Sequence, residues 1–208
     1  MPAVLKSARR WRMGARMHDT TDQPLPPDQP LPPPEARVDP SRAAALLTYA
    51  GALPFLALTA LIPLAAPIAD RIGNPALGLQ LGWWAALGLA IYAVAILSFL
   101  GGIRWGAALR GGTARMLAVS VLPSLAGWVL GVVACLGLFS GFNVITGVAL
   151  ALLTVCFAAQ WWWDRAQAGE TGGLPAWFLP VRTRITLVVV PTLLAAAALV
   201  ATGVVSPG

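Results

Sequence analysis

Charge is what this sequence has least of. Only 11% of its 208 residues are Asp, Glu, Lys or Arg, against about 25% in an average soluble domain, too few to cover a water-facing surface. Histidine is nearly absent. His18 is the single one, which excludes a bis-histidine haem and a histidine-built metal site. No acid lies deep in the long apolar runs, where proton relays and ion-coupled carriers place one. The polar groups there are hydroxyls, Asn143 and Gln160. Paired carboxylates, a Ser/His pair and a His/Glu zinc motif are missing too. No cofactor, no metal and no catalytic residue are expected, and the chain reads as a non-enzyme.

What is present is apolar, at 58% of the chain, and it comes in blocks of about 20 residues, the length that crosses a ~30 Å hydrocarbon core at ~1.5 Å per residue. Five such spans are expected, over about residues 43–66, 84–103, 116–138, 142–163 and 185–205. The fold class that follows is an all-α integral membrane protein, a bundle of five transmembrane helices over 41–208 behind a disordered, Pro-rich tail over 1–40. In that tail the hexapeptide DQPLPP occurs twice in tandem, from Asp22 and from Asp28. Prolines at this density favour extended polyproline II and build no core, so a spacer is expected. The first 18 residues carry five basic side chains and no acid, the composition of a mitochondrial presequence; Met13 and Met17 are alternative starts.

The basic residues give an orientation. With the N-terminus inside, the tail, the link between spans two and three and the link between spans four and five are cytoplasmic. Of the 14 basic residues only Arg71 then falls outside, a strong positive-inside pattern that needs an odd number of crossings. The surplus positive charge thus lies beside the membrane, where it meets anionic lipid headgroups. With no nucleic-acid motif present, no nucleic-acid partner is expected.

Within the spans, Ser120, Ser124, Gly127 and Gly131 recur at intervals of four, three and four. That spacing lines them along one helix face, a seam where another helix approaches closely. Its partner, another span or a second membrane protein, is open. Cys135 and Cys156 sit in the hairpin of spans three and four at depths differing by about 16 Å at 1.5 Å per residue. A disulfide needs Cα atoms within about 7 Å, so both are expected to be free packing residues.

The stretch LSFLGGIRWG, residues 97–106, ends span two with two readings. Arg104 and Trp105 suit an interfacial anchor, since tryptophan prefers the headgroup level and arginine extends toward phosphates. Alternatively Arg104, Arg110, Arg115, Asp164, Arg165, Arg182 and Arg184 share one depth. One arginine then pairs with Asp164 and the others form a cationic rim for a lipid phosphate or small anion, with Trp177 and Phe178 in the same layer.

Taken in order, LLTYAGALPF, SFLGGIRWG, LPSLAGW, WWWDR and GLPAWFLPVRTRIT resemble the family described as domain of unknown function 3429, which includes transmembrane protein 69. The likeness covers about residues 43–200. It implies a small multi-spanning protein of bacteria and mitochondria-related settings without an assigned activity. Its motif positions would be Gly101, Gly102, Arg104, Trp105, Asp164, Arg165, Trp177, Arg182 and Arg184. The alanine-, glycine- and arginine-rich composition favours a bacterial inner membrane, with the C-terminus periplasmic, over a mitochondrial inner membrane. The leading expectation is a scaffold, assembly factor or accessory subunit; the alternative is a small transporter or anionic-lipid-binding protein using the arginine layer.

Overall fold

In a computed structural model the described residues are 40–109, 111–167 and 175–203. Residues 1–39 of the tail expected to be disordered therefore lie outside them, as does Arg110, while Pro40 begins the first helix. The described residues form six helices and no strand: α1 (Pro40–Ala50), α2 (Leu53–Ile72), α3 (Pro75–Ala108), α4 (Ala114–Phe139), α5 (Asn143–Ala166) and α6 (Phe178–Ala201). With α1 and α2 taken together, five are long and apolar enough to cross a membrane.

The expected first span is two helices because the backbone is interrupted at Gly51 and Ala52. Pro54 has no N–H to return to the carbonyl four residues earlier. The Tyr92 hydroxyl of α3 donates to the Gly51 carbonyl at 2.9 Å, so the break has a partner across the bundle. Pro63 and Pro67 lie inside α2, where neighbouring helices make such losses tolerable.

Successive helices pack side by side, and α2 meets α6, so the five spans close into a ring; α3 and α5 also touch each other, and α1 lies against α6. The core runs along these contacts. Phe55 of α2 meets Tyr92 of α3 and Phe157 of α5 edge to face, with centroids 5.0 and 5.8 Å apart. Leu89, Leu97, Leu150, Leu153 and Leu193 are fully buried around them. Lipid is as apolar as leucine, so cohesion between the spans comes from close contact and interhelical hydrogen bonds.

Glycine supplies that contact. A Cβ on Gly101 would stand 2.7 Å from the Ser120 carbonyl oxygen of α4, and one on Gly127 would stand 3.3 Å from a Leu97 methyl of α3. The small-residue seam of α4 thus faces α3. Its other side exposes Leu122, Leu125, Trp128, Val129, Val132 and Leu136. The turn from α4 to α5 is as short as the sequence suggested, with Gly141 at φ 72°. The Thr146 hydroxyl donates to the Ala134 carbonyl at 3.1 Å, and Gly137 leaves room for it. Both cysteines are free and half-buried.

Two helix starts differ most from expectation. Helix α3 has 34 residues, about 51 Å at 1.5 Å each, because Pro75 starts it inside an apolar stretch that continues into span two. The Trp83 indole donates to the Leu138 carbonyl at 3.4 Å and its ring meets Phe139 at 4.9 Å, so Trp83 is level with the end of α4. Helix α3 and the end of α2 continue past that level, held by Gly78 against Ala65, Ala66 and Ala69. Helix α6 begins at Phe178, seven residues before the expected 185, which turns Arg182 and Arg184 from link residues into helical ones.

Candidate functional site

Near the end of α3, near the end of α5 and in the first turns of α6, three charged side chains meet. Arg104 Nε donates to Asp164 Oδ1 at 3.0 Å, and Arg104 Nη2 donates to the same oxygen. Arg182 Nε donates to Asp164 Oδ2 at 3.1 Å. Both carboxylate oxygens are therefore occupied by different guanidinium groups from different helices. The three side chains are nearly dry, at 11%, 4% and 6% exposure for Arg104, Asp164 and Arg182.

Local sequence explains the convergence. Gly101 lets α3 lie against α4 one turn before Arg104, at Ser120 and Ser124. Gln160 and Asp164 are one turn apart on α5, and the Gln160 carbonyl accepts a long 3.5 Å bond from Arg104 Nη2. The Trp163 ring lies beneath the Arg104 guanidinium, 5.4 Å from its Cζ to the centroid, an attractive arrangement for a cation. On α6 the Thr186 hydroxyl donates back to the Arg182 carbonyl at 2.9 Å. Trp161 donates to the Thr183 hydroxyl at 3.0 Å and ties α5 to α6 alongside.

Two guanidiniums against one carboxylate leave the cluster with a formal charge of +1. It also has idle donors. Among the described residues, Arg182 Nη2 and Gln160 Nε2 are buried without a hydrogen-bond partner, on residues only 5% and 6% exposed. An unsatisfied buried donor costs about 1–3 kcal/mol, more when charged. The cluster ties three helices together yet stays short of acceptors.

The remaining sequence candidates surround this centre without joining it. Trp105 is 42% exposed, and Gly102 has open space where a Cβ would stand. Arg165 is exposed and lies over the Trp161 ring at 6.0 Å. Arg115 and Arg184 are exposed. Trp177 is half-buried and stacks edge to face on Phe178 at 6.4 Å. Arg104 turns inward to Asp164, so an arginine does pair with that carboxylate, and Asp164 takes two arginines where one was expected. Gln160 and Trp163 were not singled out as site residues; the signal for both was proximity to Asp164, four residues before it on the same face and immediately before it.

A family model described as protein of unknown function (DUF3429) matches residues 40–198, which contain the whole cluster. No curated protein and no solved structure matches the chain.

Proposed function

The chain belongs to the DUF3429 family of unknown function, which lends it no activity, and we propose that it is a non-enzymatic membrane protein working through its packed helices as a scaffold, assembly factor or accessory subunit. The observation that carries this reading is the occupancy of Asp164. A general acid or base must reach the proton it moves, and a proton carrier must release it. Asp164 gives one oxygen to Arg104 and the other to Arg182, and it is 5% exposed. The carboxylate acts as a clasp between α3, α5 and α6.

In this proposal the membrane is a bacterial inner membrane and the arginine-bearing end faces the cytoplasm, in keeping with the positive-inside distribution. Exposed Arg115, Arg165 and Arg184 lie near anionic headgroups, and the partner is another membrane protein. Affinity purification in a mild detergent tests it, with a stoichiometric co-purifying membrane protein as the expected result. A clean single species that carries a solute across liposomes refutes it in favour of a carrier. Tag accessibility at both ends tests the sidedness, and two ends in one compartment refute that part.

A further inference from the structure

We propose that the Arg104–Asp164–Arg182 cluster is a binding site for one phosphate oxyanion group. The inference goes beyond a scaffolding role and does not depend on it. Its first support is charge: two guanidiniums share one carboxylate in a nearly dry place, and a buried excess charge calls for a counter-charge. Its second support is hydrogen bonding. The Nε/Nη2 edge of an arginine is the edge that grips an oxyanion with two parallel bonds. Arg104 uses both nitrogens of that edge on Asp164. Arg182 uses Nε alone, and its Nη2 is buried without an acceptor among the described residues, as is Gln160 Nε2.

Place decides the chemistry. Asp164 stands two residues before the end of α5, and Arg104 and Arg182 each stand four residues from a terminus of their helix. The cluster is thus about one helical turn, or ~6 Å, inside one end of the bundle. Exposed Trp105 and Trp162 mark that end as the headgroup level, where tryptophans gather. A tetrahedral oxyanion offers several acceptor oxygens and negative charge, which match the idle N–H groups of Arg182 Nη2 and Gln160 Nε2 and a site charge of +1. The same group arrives either as the phosphodiester of an anionic phospholipid or as free inorganic phosphate.

The full chain separates these sources. In nanodiscs of mixed phosphatidylglycerol and phosphatidylcholine, native mass spectrometry is expected to show one retained phosphatidylglycerol per chain. In detergent, inorganic phosphate is expected to raise the melting temperature where chloride at matched ionic strength does not. A response in the first arm alone assigns a lipid headgroup, and in the second alone free phosphate. Gln160→Glu replaces one idle donor by a fixed carboxylate and should weaken binding at least tenfold. Gln160→Leu, which removes the donor and adds no charge, should also weaken it and serves if the first variant folds poorly. Arg184→Gln, altering an exposed arginine, should leave binding unchanged, as should Glu170→Gln, which removes the acid of the link between α5 and α6. No response in either arm overturns the proposal. So does binding that is lost in Arg184→Gln but kept in both Gln160 variants, which places the anion on the outer rim. Binding that appears only in Glu170→Gln overturns it too, because the chain then neutralises its own cluster.

Discussion

Replacing Asp164 by Asn keeps the shape of the side chain and deletes its charge, and the structure dictates how the damage compares with that of other substitutions in the cluster. In the native chain a formal +1 is distributed over Arg104, Asp164 and Arg182. Asp164→Asn raises it to +2 and strands two guanidiniums that are 11% and 6% exposed. Removing one partner of a buried ion pair costs about 3–5 kcal/mol. At about 1.4 kcal/mol per factor of ten, that shifts the unfolding equilibrium by roughly two to three and a half powers of ten. With about 2–4 °C per kcal/mol for a chain this long, the melting temperature should fall by roughly 6–20 °C. Arg104→Gln does the opposite to the charge, leaving a neutral Asp164–Arg182 pair bonded at 3.1 Å. It loses mainly the Arg104 hydrogen bonds and the contact with Trp163, and should cost clearly less. The assay is unfolding in a fixed detergent for both single variants and the double variant. In the double variant only Arg182 is stranded, so its loss should be smaller than the two single losses combined. Arg104→Gln costing as much as Asp164→Asn, or a strictly additive double variant, refutes the clasp.

Neighbouring glycines give a sharper contrast. Gly101→Ala pushes a Cβ to 2.7 Å from the rigid Ser120 carbonyl and should cost about 1–3 kcal/mol, whereas Gly102→Ala enters open space and should stabilise by about 0.4–1 kcal/mol; thermal unfolding of both decides it. Tyr92→Phe removes the donor to the Gly51 carbonyl and should cost about 0.5–1.5 kcal/mol, with faster hydrogen exchange confined to the amides around the α1–α2 break. The cysteines are free, so oxidant should leave the chain's mobility on a non-reducing gel unchanged, and a faster-running cross-linked band would contradict the depths assigned to them.

The number of spans was legible because a span's signature is length times apolarity, and five blocks of that length are present; the break that makes the first of them two helices was not. The α4 seam was legible too, since a four-three-four spacing fixes a common face whatever the surroundings. Its partner was not, because small residues announce close approach without saying to what; Gly101 and Gly127 answer that α3 fills it. That an arginine would meet Asp164 followed from shared depth, though not that both Arg104 and Arg182 would. The place of Arg182 inside a helix escaped, because an apolarity criterion ends a helix where charges begin. Here the helix runs on through Val181, Arg182 and Thr183, as Asp164 supplies the counter-charge that lets an arginine turn inward. The early start of α3 escaped for a related reason. Trp83 and Trp84 look like a boundary, and they do stand level with the end of α4, but apolar residues before them continue the rod.

That long hairpin of α2 and α3 gives the molecule an uneven apolar height. Pro75–Ala108 measures about 51 Å and Asn143–Ala166, at 24 residues, about 36 Å. A flat sheet of acyl chains cannot suit both sides of such a body. Lipid beside the taller pair must stretch, or the pair must lean, each at a modest cost per ångström of mismatch. The protein therefore asks for a thicker bilayer along one flank than along the other, and where a membrane varies in thickness that lopsided demand gives the molecule a preferred heading within its plane.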